Sequence, residues 1–77
     1  MKGLSLNQCE KNITYRVDEV VCLHVPVSRR LSELGFVKDA QLKVIQYSAL
    51  KRTLLIEIEG YVISLRASVA VLVKVIR

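Results

Sequence analysis

The sequence predicts a mostly β fold, a small five-stranded antiparallel barrel with one short α-helix over about residues 28–34. Three observations carry that expectation. From residue 13 onward, runs rich in Val, Ile, Leu and Tyr alternate apolar with polar positions, as half-buried strands do. Short polar or glycine-containing stretches separate these runs, at the spacing of hairpins. Only residues 28–36 break the rhythm, with apolar side chains three apart and both helix ends marked. A chain of 77 residues is one domain, and at that size only about 60% of the unfolded surface can be buried, so the fold must be compact.

Leu4-Ser5-Leu6-Asn7-Gln8-Cys9 runs into the polar Glu10-Lys11-Asn12. It reads as an entry segment that covers the barrel and ends in a turn, not as a long strand. In residues 13–25, Ile13, Tyr15 and Val17 alternate, and then Val20-Val21-Cys22-Leu23 run together. That change predicts a bulge, or a strand that becomes covered on both faces. Pro26 is read as ending this strand. Ser28 is placed to cap the helix, Leu31 and Leu34 share one face, and Gly35 supplies the left-handed stop. A helix of about two turns is not stable alone, so its leucines and Phe36 must dock on something larger.

Lys38-Asp39-Ala40 turns the chain into a strand over residues 41–48, and Leu50-Lys51-Arg52 forms a charged hairpin tip. The next strand, 53–59, places Leu54, Ile56 and Ile58 inward and Leu55, Glu57 and Glu59 outward. Gly60 permits a tight connection to residues 61–65, where Tyr61, Ile63 and Leu65 form one face. Tyr61 and Phe36 stand where a core would want them. Arg66-Ala67-Ser68 is a brief turn, compatible with one helical turn, and residues 69–76 form the last strand. Val71, Val73 and Val75 alternate there with Ala70, Leu72 and Ile76. Either both faces are covered within one chain, or one of them makes a dimer contact. A monomer is expected, with a weak dimer left open.

Composition narrows the function classes. The longest apolar runs are about five residues, whereas a membrane-spanning helix needs roughly 20. Met1 and Lys2 are not followed by the apolar stretch of a signal peptide, so a cytoplasmic location is expected. In a reducing compartment Cys9 and Cys22 read as small hydrophobes rather than a disulfide. The net charge of +5 favours an acidic partner or a phosphate surface.

Little in the chain suggests chemistry. His24 is the one histidine, and no Ser/His/Asp arrangement can be proposed. Cys22 and His24 point to the same face if they lie on a strand, and with Cys9 they make a weak three-ligand metal candidate. The plainer reading makes the cysteines core residues and His24 a strand end in contact with water. Asp18 and Glu19 face opposite sides of a strand, and Glu57 with Glu59 forms a solvated face, so no acid–base pair is supported. A non-enzyme without a cofactor is expected.

The basic residues are the better candidates. Arg29 and Arg30 fall in the first turn of the expected helix, where positive charge opposes the helix dipole by a few tenths of a kcal/mol, a mild sign of use. Leu50, Lys51 and Arg52 occupy an exposed tip of the kind that touches other proteins. Arg66 can either pin the last turn or face a partner.

Two blocks carry a family resemblance: Arg29-Arg30-Leu31-x-Glu33-Leu34-Gly35-Phe36, and Ile56-x-Ile58-x-Gly60-Tyr61-x-Ile63-Ser64-Leu65-Arg66-x-x-x-Ala70. In this order, over roughly residues 13–77, they resemble the FeoA family, small cytoplasmic proteins associated with bacterial ferrous iron transport. The resemblance implies an SH3-like barrel that docks on the cytoplasmic side of the ferrous iron transporter FeoB and supports or regulates uptake. The chain departs from the family at Lys38-Asp39, where Pro-Gly is usual. It departs again at Lys51-Arg52-Thr53, in place of a Gly-Asp-Pro type turn, and at Ser68 and Val69, in place of acidic residues. Two alternatives stay open: a nucleic-acid-binding small barrel, and an SH3-like regulatory domain of the kind attached to metal-dependent repressors. The first is favoured by charge but lacks aromatics interleaved with basic residues, and the second lacks DNA-binding helices of its own.

Overall fold

In a computed structural model of the protein, residues 3–21 and 24–77 are described. The chain runs β1 (Leu4–Ser5), a 3₁₀ turn (Leu6–Gln8), β2 (Tyr15–Val20), α1 (Val25–Glu33), β3 (Gln41–Tyr47), a second 3₁₀ turn (Ala49–Lys51), β4 (Thr53–Ile58), β5 (Tyr61–Arg66), α2 (Ala67–Ala70) and β6 (Val73–Ile76). Its strands form one antiparallel sheet in the order β1-β6-β2-β3-β4-β5. The sheet coils around a core to which most elements contribute: Leu6, Tyr15, Val17, Leu31, Phe36, Val44, Leu54, Ile56, Ile58, Val73 and Val75 are almost fully buried. Alternation along β4 does what its sequence predicts, with Leu54, Ile56 and Ile58 fully buried and Glu57 outward, paired to Lys43 at 3.8 Å.

The anticipated bulge is present. Register between β2 and β6 shifts from Val17↔Val75 to Glu19↔Lys74, and a second shift falls between Val44 and Gln46 in β3 against β4. The entry segment is a two-residue strand followed by the 3₁₀ turn, which buries Leu6 and Cys9. Several turns place residues other than glycine in left-handed backbone, among them Asp39 and Glu59. Asp39 takes φ 70, with its N–H donating to the Val17 carbonyl oxygen at 2.8 Å. Glu59 and Gly60, at φ 50 and 86, supply the two left-handed residues of a two-residue hairpin.

Four sequence expectations are corrected. The described sheet has six strands where the sequence predicts five, and it does not close, because Leu4–Ser5 adds a short edge strand beside β6 while β5 ends the other side. The helix begins three residues early: His24 is the N-cap and Pro26 lies in the first turn, where its missing N–H costs nothing and its fixed φ fits. Pro26 therefore starts the helix instead of ending a strand, and Ser28 does not cap it, since its hydroxyl donates back to the Val25 carbonyl oxygen at 3.1 Å. Gly35 does stop it, at φ 109, with Phe36 N–H donating to the Leu31 carbonyl oxygen at 3.0 Å. Residues 69–76 are not one strand: Val69 and Ala70 complete α2, and only Val73–Ile76 is extended. A helical turn followed by a strand accounts for apolar residues on what looked like two strand faces: Ala70, Val73 and Val75 are buried, while Val71 stays exposed at the junction. Tyr61, expected in the core, is 68% exposed at the open edge of the sheet.

Candidate functional site

Leu50, Lys51, Arg52 and Arg66 converge at one end of the barrel. Leu50 and Lys51 have left-handed backbone, at φ 62 and 54, which exposes the leucine side chain by 82%. Ser48 organises the tip. Its N–H donates to the Thr53 carbonyl oxygen at 2.8 Å, its carbonyl oxygen accepts from Lys51 N–H at 2.9 Å, and its Oγ accepts from Thr53 N–H at 2.9 Å. Arg66 lies opposite Thr53 in the β4–β5 ladder, and Ala67 N–H donates to the Arg52 carbonyl oxygen at 2.9 Å. Lys51 Nζ stands 5.2 Å from the centroid of the Tyr47 ring, a contact that the sequence did not suggest. The result is one apolar knob in a cationic collar. Its exposed side chains are one leucine and three cations, an arrangement suited to contact.

Arg29 and Arg30 do not join this cluster. Gly35, at the end of their helix, lies against Ile58 and Glu59, at the end of β4 away from the tip. Six residues of strand separate those ends by about 17 Å. The early helix start also changes their electrostatics. Arg30 sits in the last turn, where a cation is favourable, so the suggested penalty against the helix dipole does not exist.

Of the three metal candidates, Cys9 and His24 fall among the described residues. Cys9 is buried, its thiol near the Ser5 carbonyl oxygen at 3.8 Å, and burial pushes its pKa from 9.0 up to about 11, away from the thiolate a metal would need. His24 is exposed at the helix N-cap, and Cys22 lies outside the described residues. Among the described residues no group of three His, Cys, Asp or Glu side chains could hold a metal ion. The carboxylates Asp18 and Asp39 engage Lys38 and Arg16 at 3.3 and 3.0 Å in exposed pairs. A shallow groove of about 240 Å³ beside β3 and β4 is lined by Thr14, Gln41, Lys43, Glu57 and Glu59 among others, with Lys43 already paired to Glu57. No described helix is long and apolar enough to cross a membrane.

Comparison with known proteins extends these observations. A family model described as the FeoA domain matches residues 4–77. A FeoA-like protein from Clostridium acetobutylicum is 25% identical, with a TM-score of 0.85 over 97% of this chain and 86% of its own. A FeoA from Stenotrophomonas maltophilia, described as a procaryotic SH3 domain protein complexed with zinc, is 29% identical, with a TM-score of 0.82 over 94% of this chain and 88% of its own. A manganese-dependent transcriptional repressor shares the fold at TM-score 0.87, over 96% of this chain but 40% of its own, at 18% identity. No curated protein sequence matches.

Proposed function

Because the chain belongs to the FeoA family, small proteins associated with ferrous iron transport, we propose that it acts without chemistry of its own, by docking on the cytoplasmic side of a FeoB-type transporter. The observation that carries this reading is the tip. A leucine is held in the solvent on left-handed backbone, where an L-residue is disfavoured by roughly 1–2 kcal/mol, with Lys51, Arg52 and Arg66 around it. Strain of this kind persists where the surrounding structure over-determines it, and it clusters at functional sites. Leu50 enters an apolar pocket on the transporter, and the three cations engage acidic residues at its rim, giving a small anchor with electrostatic steering. Arg29 and Arg30 form a second, weaker surface on α1.

The test is an NMR titration of the labelled protein with the transporter's cytoplasmic domain. Shifts centred on residues 48–53, 66 and 67 support the docking site. Shifts confined to α1 move it to the second surface, and none at high concentration rules out this domain as the partner. The repressor likeness, at under 25% identity, speaks for a shared fold alone.

A further inference from the structure

The sheet ends on β5, and this edge is open. The two-residue hairpin makes Ile58 and Tyr61 a hydrogen-bonded pair, and the antiparallel alternation follows from it. Residues 61, 63 and 65 direct their backbone groups toward β4, and Val62, Ser64 and Arg66 direct theirs outward. Among the described residues no other strand pairs with this side, and the side chains of Val62, Ser64 and Arg66 are exposed. Edge strands are normally blunted by proline, a bulge, a charge within the strand, or extreme shortness. β5 has six residues, an unbroken register with β4, no proline, and its one charge at the last position. The opposite edge, β1, is two residues long.

We propose that β5 pairs with β5 of a second copy of this chain, antiparallel across a two-fold axis, so that the two sheets become one. Charge favours a copy over a foreign strand. Glu59 lies just before β5 and Arg66 closes it, both exposed. Antiparallel pairing of this strand with itself brings each copy's cation to the other's anion. With Val62 opposite Ser64, Ile63 lies on the axis, and Arg66 at the end of the paired strand reaches the other copy's hairpin turn, where Glu59 is exposed. Val62 and Ser64 then exchange the backbone hydrogen bonds that each copy leaves open. The surface lies along the sheet edge and shares Arg66 with the docking tip, but its test reads self-association without the transporter.

Sedimentation equilibrium and NMR spectra of the full chain, diluted from about 1 mM to about 10 μM, test the proposal at the weak end of specific association. The expected result is a dimer at high concentration whose dissociation moves the amides of Val62, Ser64 and Arg66 more than those of Ile63 and Leu65. Val62→Lys, which places a charge in mid-edge, yields a folded monomer. Glu59→Lys and Arg66→Glu each weaken association several-fold, and together they restore it. A protein that stays monomeric at about 1 mM, dilution shifts on other elements, a Val62→Lys variant that still dimerises, or a double reversal without rescue each overturns the proposal. So does an extended peptide that shifts the same three amides of a monomer, since the edge would then belong to a foreign strand.

Discussion

The N–H of Ala67 donates to the carbonyl oxygen of Arg52 at 2.9 Å, tying the β3–β4 tip to the junction of β5 and α2. With the three bonds around Ser48, this fixes the tip from both sides and explains how Leu50 is kept on left-handed backbone. Leu50→Gly relieves the conformation and removes an exposed side chain that contributes little to the core. Denaturant unfolding should show a gain of about 0.5–1 kcal/mol, while the transporter titration shows weaker binding. Unchanged binding would mean that the knob is only a turn residue.

Charge reversal separates the two basic surfaces. Lys51→Glu with Arg52→Glu should weaken transporter binding about tenfold and flatten its dependence on salt, because the collar acts through steering and rim contacts. Arg30→Glu should instead lower stability by about 0.3–1 kcal/mol, since it places an anion in the last turn of α1. Calorimetry of both variants beside the titration distinguishes a docking residue from a helix-end residue.

Gly35 is the position where the helix depends most on residue type. At φ 109 an alanine is strained, although its Cβ would meet Ile58 and Glu59 side-chain atoms only at 3.8 and 3.9 Å, an ordinary contact. The cost is therefore one of backbone conformation, about 1–2 kcal/mol. It should be read as a lower midpoint of denaturant unfolding with an unchanged slope.

Where the sequence was legible, periodicity did the work. Leu54, Ile56 and Ile58 alternate so regularly that their burial and the two faces of β4 follow from it, whereas the register shift in β3 between Val44 and Gln46 does not. Signals with two meanings misled. Pro26 marks a strand end and a helix start equally well, and residues 69–76 satisfy a strand pattern although their first two residues complete a helical turn. The site is less legible than the core for a different reason. Lys51 and Arg52 in a loop suggest contact, but nothing in a string of residues says that Leu50 takes φ 62, or that Arg66 arrives beside the tip through the β4–β5 ladder. The position of Tyr61 was missed because alternation assigns a face, while exposure at a sheet edge depends on strand order.

Tyr47 fastens the entry segment to the barrel: its hydroxyl donates to the carbonyl oxygen of Cys9, 38 residues away. Tyr47→Phe leaves that carbonyl without this partner and should cost about 1 kcal/mol, a fall in Tm of roughly 4–8 °C for a domain of this size. Hydrogen exchange should quicken in residues 5–12 before the rest of the sheet. A uniform change across the sheet would mean that the bond is part of the global core and not a local fastening.

The same corner sets an alkaline limit on stability. Burial pushes the Cys9 thiol from 9.0 to about 11, and it raises Tyr47 as well, with smaller contributions from negative charge on Cys9 and Tyr15. The folded protein thus holds the Cys9 proton where the unfolded chain has lost it, so this contribution is complete below pH 9 and falls away as pH rises toward 11. Two pKa units correspond to at most about 2–3 kcal/mol, with Tyr47 adding a loss of the same sign above its ordinary range. Denaturant midpoints measured from pH 7 to 11 should stay level and then decline above pH 9, and Cys9→Ala should flatten the decline. In a Cys22→Ser background, Cys9 of the folded protein should also resist alkylation by iodoacetamide at pH 8, reacting at the rate of local opening, since a buried protonated thiol is not a nucleophile. Rapid alkylation at that pH would place the thiol in solvent and remove the cause of the shift.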